Sequence, residues 1–235
     1  MNNLEGLILI DKPADWTSFD VVAKLRGVLR RQLQTKNQGS ITKSDLKVGH
    51  AGTLDPFATG LLLILIGPET KNQAKYMKLD KEYEATLSLG TTSTTGDPEG
   101  KLSKTPKVDK LDQAEVQGSL NKFIGVIEQT PPQYSAIKVD GKRAYKLARR
   151  GEKVEIKPRA ITIKKIEIID YEWPVLSIRV ACSSGTYLRT LAEDIGKDLG
   201  CGAYLTQLRR TKIGHFTIKE ARSIEAVMSP DAESR

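Results

Sequence analysis

The stretch GHAGTLDPFATGLLLILIG, residues 49–67, is the most informative part of the sequence for the fold. Its two glycines allow the backbone to turn tightly or to lie close to another group. Pro56 fixes its own φ and pushes Asp55 out of the helical region. The apolar residues 59–67 that follow predict a buried strand. The pattern therefore predicts a stiff loop that carries a carboxylate, and this loop is either a simple turn or a functional site.

The rest of the chain mixes strands and helices. The predicted strands are residues 6–13, 81–90, 160–172, 175–182 and 213–218, and the predicted helices are 17–33, 111–125, 185–200 and 221–228. Residues 34–45 and 91–109 are predicted as loops, and residues 131–159 as a short strand followed by a basic helix. This order is not strictly βαβ, so we expect an α+β (mixed α/β) fold with a central, largely antiparallel sheet flanked by helices. Because no clear linker interrupts the chain, we expect a single domain over residues 1–235.

Two local patterns add detail to this prediction. Ser18 is predicted to cap the helix 17–33. In the strand VLSIRVAC, a period of two places four apolar side chains on one face, namely those of Leu176, Ile178, Val180 and Cys182.

Composition favours a polyanionic partner. The chain has 37 Lys and Arg against 29 Asp and Glu, a net charge of +8, and nucleic acid is the obvious partner for such a balance. With only two cysteines and two histidines, the sequence favours neither a zinc site nor a disulfide. No apolar run approaches the length of a membrane helix, and the N-terminus does not resemble a signal peptide, so we expect a cytoplasmic protein.

Asp55 is the first candidate for chemistry. An Asp-Pro pair is often only a turn, but a carboxylate held in a stiff loop can act as a nucleophile or as a general base. His50, in the same segment, either partners Asp55 or bonds within its own loop.

Basic residues cluster at three places, within Lys24–Arg31, within 138–150 and within Arg209–Lys212. In the second cluster, helical spacing predicts a charged stripe on one helix, formed by Lys142, Lys146, Arg149 and Arg150. Such a stripe is usually a solvated face. On a chain of this charge, a surface that contacts phosphates is equally consistent with the pattern.

Three further side chains are candidates for a site. Tyr187 and Arg189 stand at the start of the helix 185–200, where an arginine can meet a phosphate or a buried carboxylate. The simpler alternative is that Arg189 pairs with Glu193 one turn on. Tyr83 lies in the strand 81–90, where a tyrosine is usually packed into the core.

Several motifs, met in order along the chain, resemble those of one family. Besides GHAGTLDPFATGLL, they are LILIDKPADWTS, KEYEATLSLG, PPQYSAIKVDGKRAYKLARRG, CSSGTYLRTLAEDIG and GAYLTQLRRTKIG, which together span roughly residues 6–216. They resemble motifs of the bacterial tRNA pseudouridine-55 synthases, the TruB family. The resemblance implies a mixed α/β fold with a central antiparallel sheet and an RNA-binding cleft.

The same resemblance implies an activity and a substrate. It implies that a uridine in the T-loop of tRNA, position 55, is isomerised to pseudouridine without a cofactor or a catalytic metal. Asp55 would be the nucleophile, and it would attack either C1′ of the ribose or C6 of the uracil. The partner would be the tRNA T-stem-loop, and the protein would work as a monomer with no obligate protein partner.

The resemblance also implies a role for each of the other matched residues. Tyr83 would stack on the extruded base, and Arg189 would pair with Asp55 and keep it ionised. Tyr187 and Leu208 would line the pocket, and His50 would take part in holding the flipped-out conformation of the loop. Lys12 would support the floor of the site or a nearby phosphate. Arg149 and the basic helix, within the RNA-gripping insertion at about 131–159, would close over the stem-loop.

The chain departs from the family pattern at several points. Asp15 stands where the family usually has Gly in a positive-φ turn, and Thr94 stands where it usually has Asp, although Asp97 follows. Residues 32–45 are longer than the usual connection. The sequence ends at Arg235, where bacterial members usually continue into a C-terminal RNA-binding domain of the PUA type.

Three other functions compete with this one. A tRNA-binding or tRNA-folding protein with little turnover would suit the basic surface, but it would not need Asp55, Tyr83 and Arg189 together. A guide-RNA-dependent synthase subunit would usually need further domains. A carboxylate-based hydrolase would need a second catalytic acid near the first, and no nearby motif supplies one.

Overall fold

The computed structural model describes residues 6–36, 46–106, 109–135, 137–139, 141–148, 150–152 and 154–228. Arg149 and residues 37–45 lie outside this part of the chain. The predictions made for them therefore stay predictions.

Strands and helices alternate irregularly along the chain. The strands are β1 Gly6–Lys12, β2 Val48–Ala51, β3 Thr59–Ile66, β4 Lys81–Leu89, β5 Thr91–Ser93, β6 Leu102–Lys104, β7 Gly125–Gln129, β8 Lys138–Val139, β9 Lys142–Arg143, β10 Arg159–Glu172, β11 Val175–Cys182, β12 Ala203–Ile213 and β13 Phe216–Thr217. The α-helices are α1 Ser18–Lys36, α2 Gln73–Met77, α3 Gln113–Lys122, α4 Ala144–Ala148, α5 Leu188–Asp198 and α6 Ile224–Met228, and Gly67–Asn72 and Ile218–Glu220 form short 3₁₀ helices. The predicted mixed α/β fold with a largely antiparallel sheet flanked by helices is confirmed.

The chain divides into two compact units. The first consists of Met1–Glu82 and Arg209–Arg235, and the second of Tyr83–Leu208. Both boundaries fall inside a strand, the first in β4 and the second in β12.

In the first unit, β3 lies at the centre of the sheet. It pairs antiparallel with β1 and with β2, and parallel with β12 through Thr59 and Arg209. Its side chains alternate between two hydrophobic clusters, one containing Leu62, Ile64 and Ile66 and the other containing Leu61, Leu63 and Leu65. The apolar run in the sequence is continuous because this strand is covered on both faces.

Helix α1 covers one face of this sheet. Its buried side chains follow the helical period and join the cluster on that face, and they are Val21, Val22, Leu25 and Leu29. The helix is capped by Thr17, whose hydroxyl accepts from the Asp20 N–H at 3.1 Å, while the Asp20 carboxylate accepts from the Thr17 N–H at 2.9 Å. The predicted cap at Ser18 is therefore wrong, because the Ser18 side chain bonds to another loop.

In the second unit, β10 pairs antiparallel with both β11 and β7. The predicted apolar face of β11 is confirmed, since Leu176, Ile178, Val180 and Cys182 are at most 1 % exposed. Helix α3 begins with a capping box in which Asp112 and Glu115 each accept from the other's backbone N–H.

Three element predictions were wrong. The strand predicted at 213–218 is instead a long strand, β12 Ala203–Ile213, followed by the short β13. The segment 91–109, predicted as a loop, contains β5 and β6. The basic helix is only Ala144–Ala148, so Lys142 lies in β9 and Arg150 lies in a turn. The missed strands are rich in polar residues, and pairing with neighbouring strands stabilises them where apolar periodicity is weak.

Candidate active site

The backbone immediately before Asp55 is held by a buried serine. The Ser18 hydroxyl accepts from the Leu54 N–H at 2.8 Å and lies 3.2 Å from the Leu54 carbonyl, to which it can donate. Ser18 is 1 % exposed, so these bonds are shielded from water. Asp55 itself is half-buried, and its carbonyl accepts from the Ala58 N–H at 3.2 Å. The loop is thus tied to the first turn of α1.

The residue after Asp55 is held as well. The Pro56 carbonyl accepts from the Lys12 ammonium at 3.1 Å and from the Asp15 N–H at 2.9 Å. Asp15 has a φ of 64°, which confirms the positive-φ turn expected at this departure from the family pattern. Both neighbours of Asp55 therefore have fixed backbone positions.

Lys12 is buried beneath this loop. It is 0 % exposed, and its ammonium donates to three carbonyls, those of Pro13 at 2.8 Å, Trp16 at 2.6 Å and Pro56 at 3.1 Å. Burial lowers the pKa of Lys12 to about 8, although the nearby Asp55 carboxylate opposes this shift. The role expected of Lys12, support of the floor of the site or of a nearby phosphate, stays a prediction.

Arg210 is a residue of this site that the sequence did not reveal. It is 1 % exposed, and its guanidinium donates to the carbonyls of Leu61 at 2.7 Å, Gly52 at 2.9 Å and Thr53 at 3.5 Å. In the sequence, Arg210 belongs to the basic cluster Arg209–Lys212, for which contact with phosphates was one alternative. Its burial excludes that role, and no local pattern distinguishes it from the exposed cations beside it.

The neighbours of Arg210 are held in ion pairs. Arg209 contacts Asp11 at 2.6 Å and Lys212 contacts Glu82 at 3.0 Å. Both side chains are nevertheless partly exposed, so contact of Arg209 and Lys212 with phosphates stays a prediction.

Two glycines in the first unit permit a close backbone approach to Arg210. Gly52 has a φ of 92°, and a Cβ there would lie 3.4 Å from Nη1 of Arg210. Gly60 has a φ of 105°, and a Cβ there would lie 2.4 Å from the Arg210 carbonyl oxygen. Both positions therefore need glycine for conformation, and Gly60 also needs it for space.

His50 lies in β2, opposite Ile64 of β3. It is half-buried, and its carbonyl accepts from the Gln73 side-chain amide at 2.6 Å. Its part in holding the flipped-out conformation of the loop stays a prediction.

In the second unit, Arg189 forms a buried ion pair with Asp97. Nη1 of Arg189 lies 3.1 Å from the Asp97 carboxylate, and the two side chains are 6 % and 5 % exposed. The same guanidinium donates to the carbonyls of Thr95 at 3.1 Å and Tyr134 at 2.8 Å. The expected pairing of Arg189 with Asp55 stays a prediction.

The environment of Arg189 includes a second carboxylate. Burial, together with the neighbouring Asp194, raises the pKa of Glu193, and Arg189 opposes this shift. A Cβ on Gly96 would lie 2.5 Å from the Glu193 carboxylate and 3.2 Å from the Arg189 Cβ. The loop after β5 therefore packs directly on the first turns of α5.

Tyr187 stands at the N-cap of α5, half-buried. Its backbone is held by the buried Gln129 side chain, which accepts from the Tyr187 N–H at 2.8 Å and donates to the Tyr187 carbonyl at 3.1 Å. Gln129 is 2 % exposed and is a second residue that the sequence did not reveal.

Tyr83 and Leu208 are both largely buried in the second unit, each 8 % exposed. Tyr83 shares its face of β4 with the buried Ala85 and Leu87. Base stacking by Tyr83 and pocket lining by Leu208 stay predictions.

The comparison with protein families is consistent with this architecture. The N-terminal domain of the TruB family pseudouridylate synthases matches residues 33–188, and the tRNA pseudouridylate synthase B C-terminal domain matches residues 189–231. The tRNA pseudouridine synthase B of Endomicrobium trichonymphae is 45 % identical over 230 residues, covering 98 % of this chain and 94 % of the relative. That of Phocaeicola vulgatus is 46 % identical over 227 residues, covering 96 % and 93 %.

Solved structures share the fold. A chain of a Cbf5–Nop10–Gar1 complex aligns with a TM-score of 0.69 at 26 % identity, covering 95 % of this chain and 53 % of that one. A chain of an H/ACA ribonucleoprotein bound to a substrate RNA containing 2′-deoxyuridine aligns with a TM-score of 0.67 at 24 % identity, covering 95 % and 52 %.

The fold and these matches define a pseudouridine synthase. More narrowly, the chain belongs to the TruB family. It is an enzyme that isomerises uridine in tRNA to pseudouridine. Within the described ranges, no helix has the length and apolar character needed to span a membrane.

Proposed function

We propose that Asp55 is the nucleophile of this isomerase and that its target is uridine 55 in the T-loop of tRNA. The observation that supports this proposal is the fixed backbone on both sides of Asp55, where Ser18 holds Leu54 and Lys12 holds Pro56. A half-buried carboxylate on a loop held in this way needs no rearrangement to meet a substrate atom.

The reaction requires such a preorganised group. The target nucleotide must leave the RNA stack before its base can be reached. The C1′–N1 bond then breaks, the uracil turns, a C1′–C5 bond forms, and the hydrogen at C5 is lost. Asp55 attacks either C1′ of the ribose or C6 of the uracil, and both routes use the same carboxylate. Its bond to the substrate breaks again before the product leaves, which restores the free carboxylate. N1, released from C1′, takes up a proton as C5 loses one.

The other residues of the family motifs have supporting roles in this proposal. Tyr83 stacks on the extruded base, Tyr187 and Leu208 line its pocket, and His50 holds the flipped-out state. Lys12 supports the floor of the site, and its three carbonyl contacts agree with that role. Arg189 orients Asp55, and Arg149 closes over the T-stem-loop. The protein acts in the cytoplasm, as a monomer.

The experiment is release of tritium from a tRNA transcript labelled at C5 of uridine. The parent protein should release it, and Asp55→Asn should not, since the amide is a poor nucleophile. Asp170→Asn, which changes an exposed carboxylate of β10, is the matched control and should behave as the parent. A transcript with cytidine at position 55 should release none.

Three outcomes would contradict the proposal. Full release by Asp55→Asn would show that the reaction does not need the Asp55 carboxylate. Release that persists on the transcript with cytidine at position 55 would show that the target uridine lies elsewhere in the tRNA. Salt-sensitive tRNA binding without any release by the parent would instead favour the tRNA-binding alternative.

A further inference from the structure

A cavity of about 310 Å³ lies in the first unit, beside α1 and the start of β2. It has the volume typical of small ligand sites. Its wall includes Arg26, Lys47 and Gln73, and among the described residues that line it none is acidic. The cavity is therefore lined by cationic and neutral groups.

Only some of the hydrogen-bond donors of the Arg26 side chain have a partner among the described residues. Its Nη2 donates to the Val48 carbonyl at 3.0 Å, which holds the guanidinium against β2. Its Nε is buried and has no hydrogen-bond partner within the described part of the chain. A buried donor without a partner is costly, and in native proteins it usually indicates a missing water or ion.

Arg30 repeats this feature on the next turn of α1. Its Nε is likewise buried without a partner among the described residues. Residues separated by four positions share one face of a helix, so Arg26 and Arg30 present two cations on the same side of α1. Arg26 lies in the cavity wall, and Arg30 is a second cation on the same face of the helix. Because the described lining residues include no carboxylate, this charge favours an anion over a neutral ligand.

Two further groups add donors at the cavity. The Lys47 side chain is exposed, so its ammonium is accessible to a ligand from solvent. The Gln73 side-chain amide uses one N–H for the His50 carbonyl at 2.6 Å, and a second N–H remains. Arginine, lysine and amide donors together match the oxygen atoms of a phosphate group.

We propose that this cavity binds a phosphate group and that the phosphate belongs to the backbone of the bound tRNA. The proposal rests on tRNA being the substrate, and it goes further by naming a backbone contact away from Asp55. The seven chain steps from Val48 to Asp55 span at most about 24 Å, which is about seven nucleotide steps of 3.4 Å along a helical strand. One stem-loop therefore has the length to occupy both places.

The test compares Lys47→Ala with the parent protein in binding to full-length tRNA at several salt concentrations. Lys47 is exposed, so its substitution should leave folding unchanged. We expect Kd to rise about three- to tenfold. The slope of log Kd against log salt concentration should fall by about one, as expected for the loss of one phosphate contact. Lys219→Ala, an exposed lysine of the same unit outside the cavity, is the control and should match the parent.

Inorganic phosphate distinguishes the source of the anion. It should bind the parent weakly, bind Lys47→Ala more weakly still, and compete with tRNA. Unchanged tRNA affinity and salt dependence in Lys47→Ala would overturn the proposal. If that variant lost phosphate binding alone, the site would serve a free phosphate compound, and the RNA assignment would be wrong. A parent that bound tRNA but formed no pseudouridine would contradict the catalytic function, and the comparison of affinities would still decide this proposal.

Discussion

Arg210 donates from Nη2 to the carbonyl oxygen of Gly52 at 2.9 Å, across 158 residues of the chain. This bond ties the strand β12 to the start of the segment that carries Asp55. The same guanidinium reaches the Leu61 carbonyl at 2.7 Å, so it joins the loop to the strand that follows it. A buried cation from the second chain segment of the first unit thus fixes both ends of the loop that carries Asp55.

Arg210→Met should destabilise the protein by about 3 kcal/mol, because it removes the buried donor of three carbonyls, those of Leu61, Gly52 and Thr53. Urea unfolding measures this change. Arg209→Met is the control, since Arg209 is partly exposed and pairs with Asp11 at the surface, and it should cost less than about 1 kcal/mol. If the two substitutions lowered the free energy of unfolding equally, the buried contacts of Arg210 would contribute no more to stability than a surface ion pair.

Ser18→Ala should lower kcat more than it lowers substrate affinity. The change leaves the buried Leu54 N–H unpaired and frees the backbone before Asp55, at a cost of about 1–3 kcal/mol in stability. Steady-state kinetics of pseudouridine formation with full-length tRNA would separate kcat from KM. Thr17→Ala removes the neighbouring helix cap, costs about 1 kcal/mol, and should leave kcat unchanged. If both variants lost kcat in proportion to their lost stability, the positioning role of Ser18 would be wrong.

Asp97→Ala should be strongly destabilising, by about 3–5 kcal/mol, since it leaves the buried charge of Arg189 without its counter-ion. The double variant Asp97→Ala with Arg189→Met should be less unstable than Asp97→Ala alone, because no uncompensated charge remains. Thermal or urea unfolding measures both. Asp198→Ala breaks the exposed pair with Lys122 and should cost less than about 1 kcal/mol. A double variant that is the least stable of the set would contradict the buried-charge explanation.

Lys12 should give the protein a distinctive pH dependence. Its pKa is about 8 in the folded protein against 10.5 in the unfolded chain, so between these values the unfolded state binds more protons. The stability of the parent relative to Lys12→Met should therefore rise as the pH increases from about 8 to about 10, by about 1.4 kcal/mol for each unit of that window.

The measurement is urea unfolding of the parent and of Lys12→Met at several pH values. Lys78→Met, an exposed lysine of the same unit, is the control and should show a constant difference from the parent. A difference between the parent and Lys12→Met that stays constant, or that shrinks as the pH rises, would mean that the pKa of Lys12 is not lowered.

Much of this protein is determined by its sequence alone. The apolar residues of β3 can lie only in a core, and the period of two in β11 places Leu176 and Ile178 on one buried face. The positive φ of Asp15 was also expected, because the family motif has glycine at that turn. The family itself follows from the order of the motifs.

Only the tertiary structure decided the partners of the buried charges. Arg209, Arg210 and Lys212 are consecutive or nearly so, yet one is buried against carbonyls and the others form partly exposed ion pairs. Arg189 is paired with Asp97, 92 residues away, although Glu193 lies one turn along the same helix. Local periodicity predicts which face of an element is buried. It does not determine which distant donor or acceptor meets a buried charge there, because that depends on how the strands come together in the sheet.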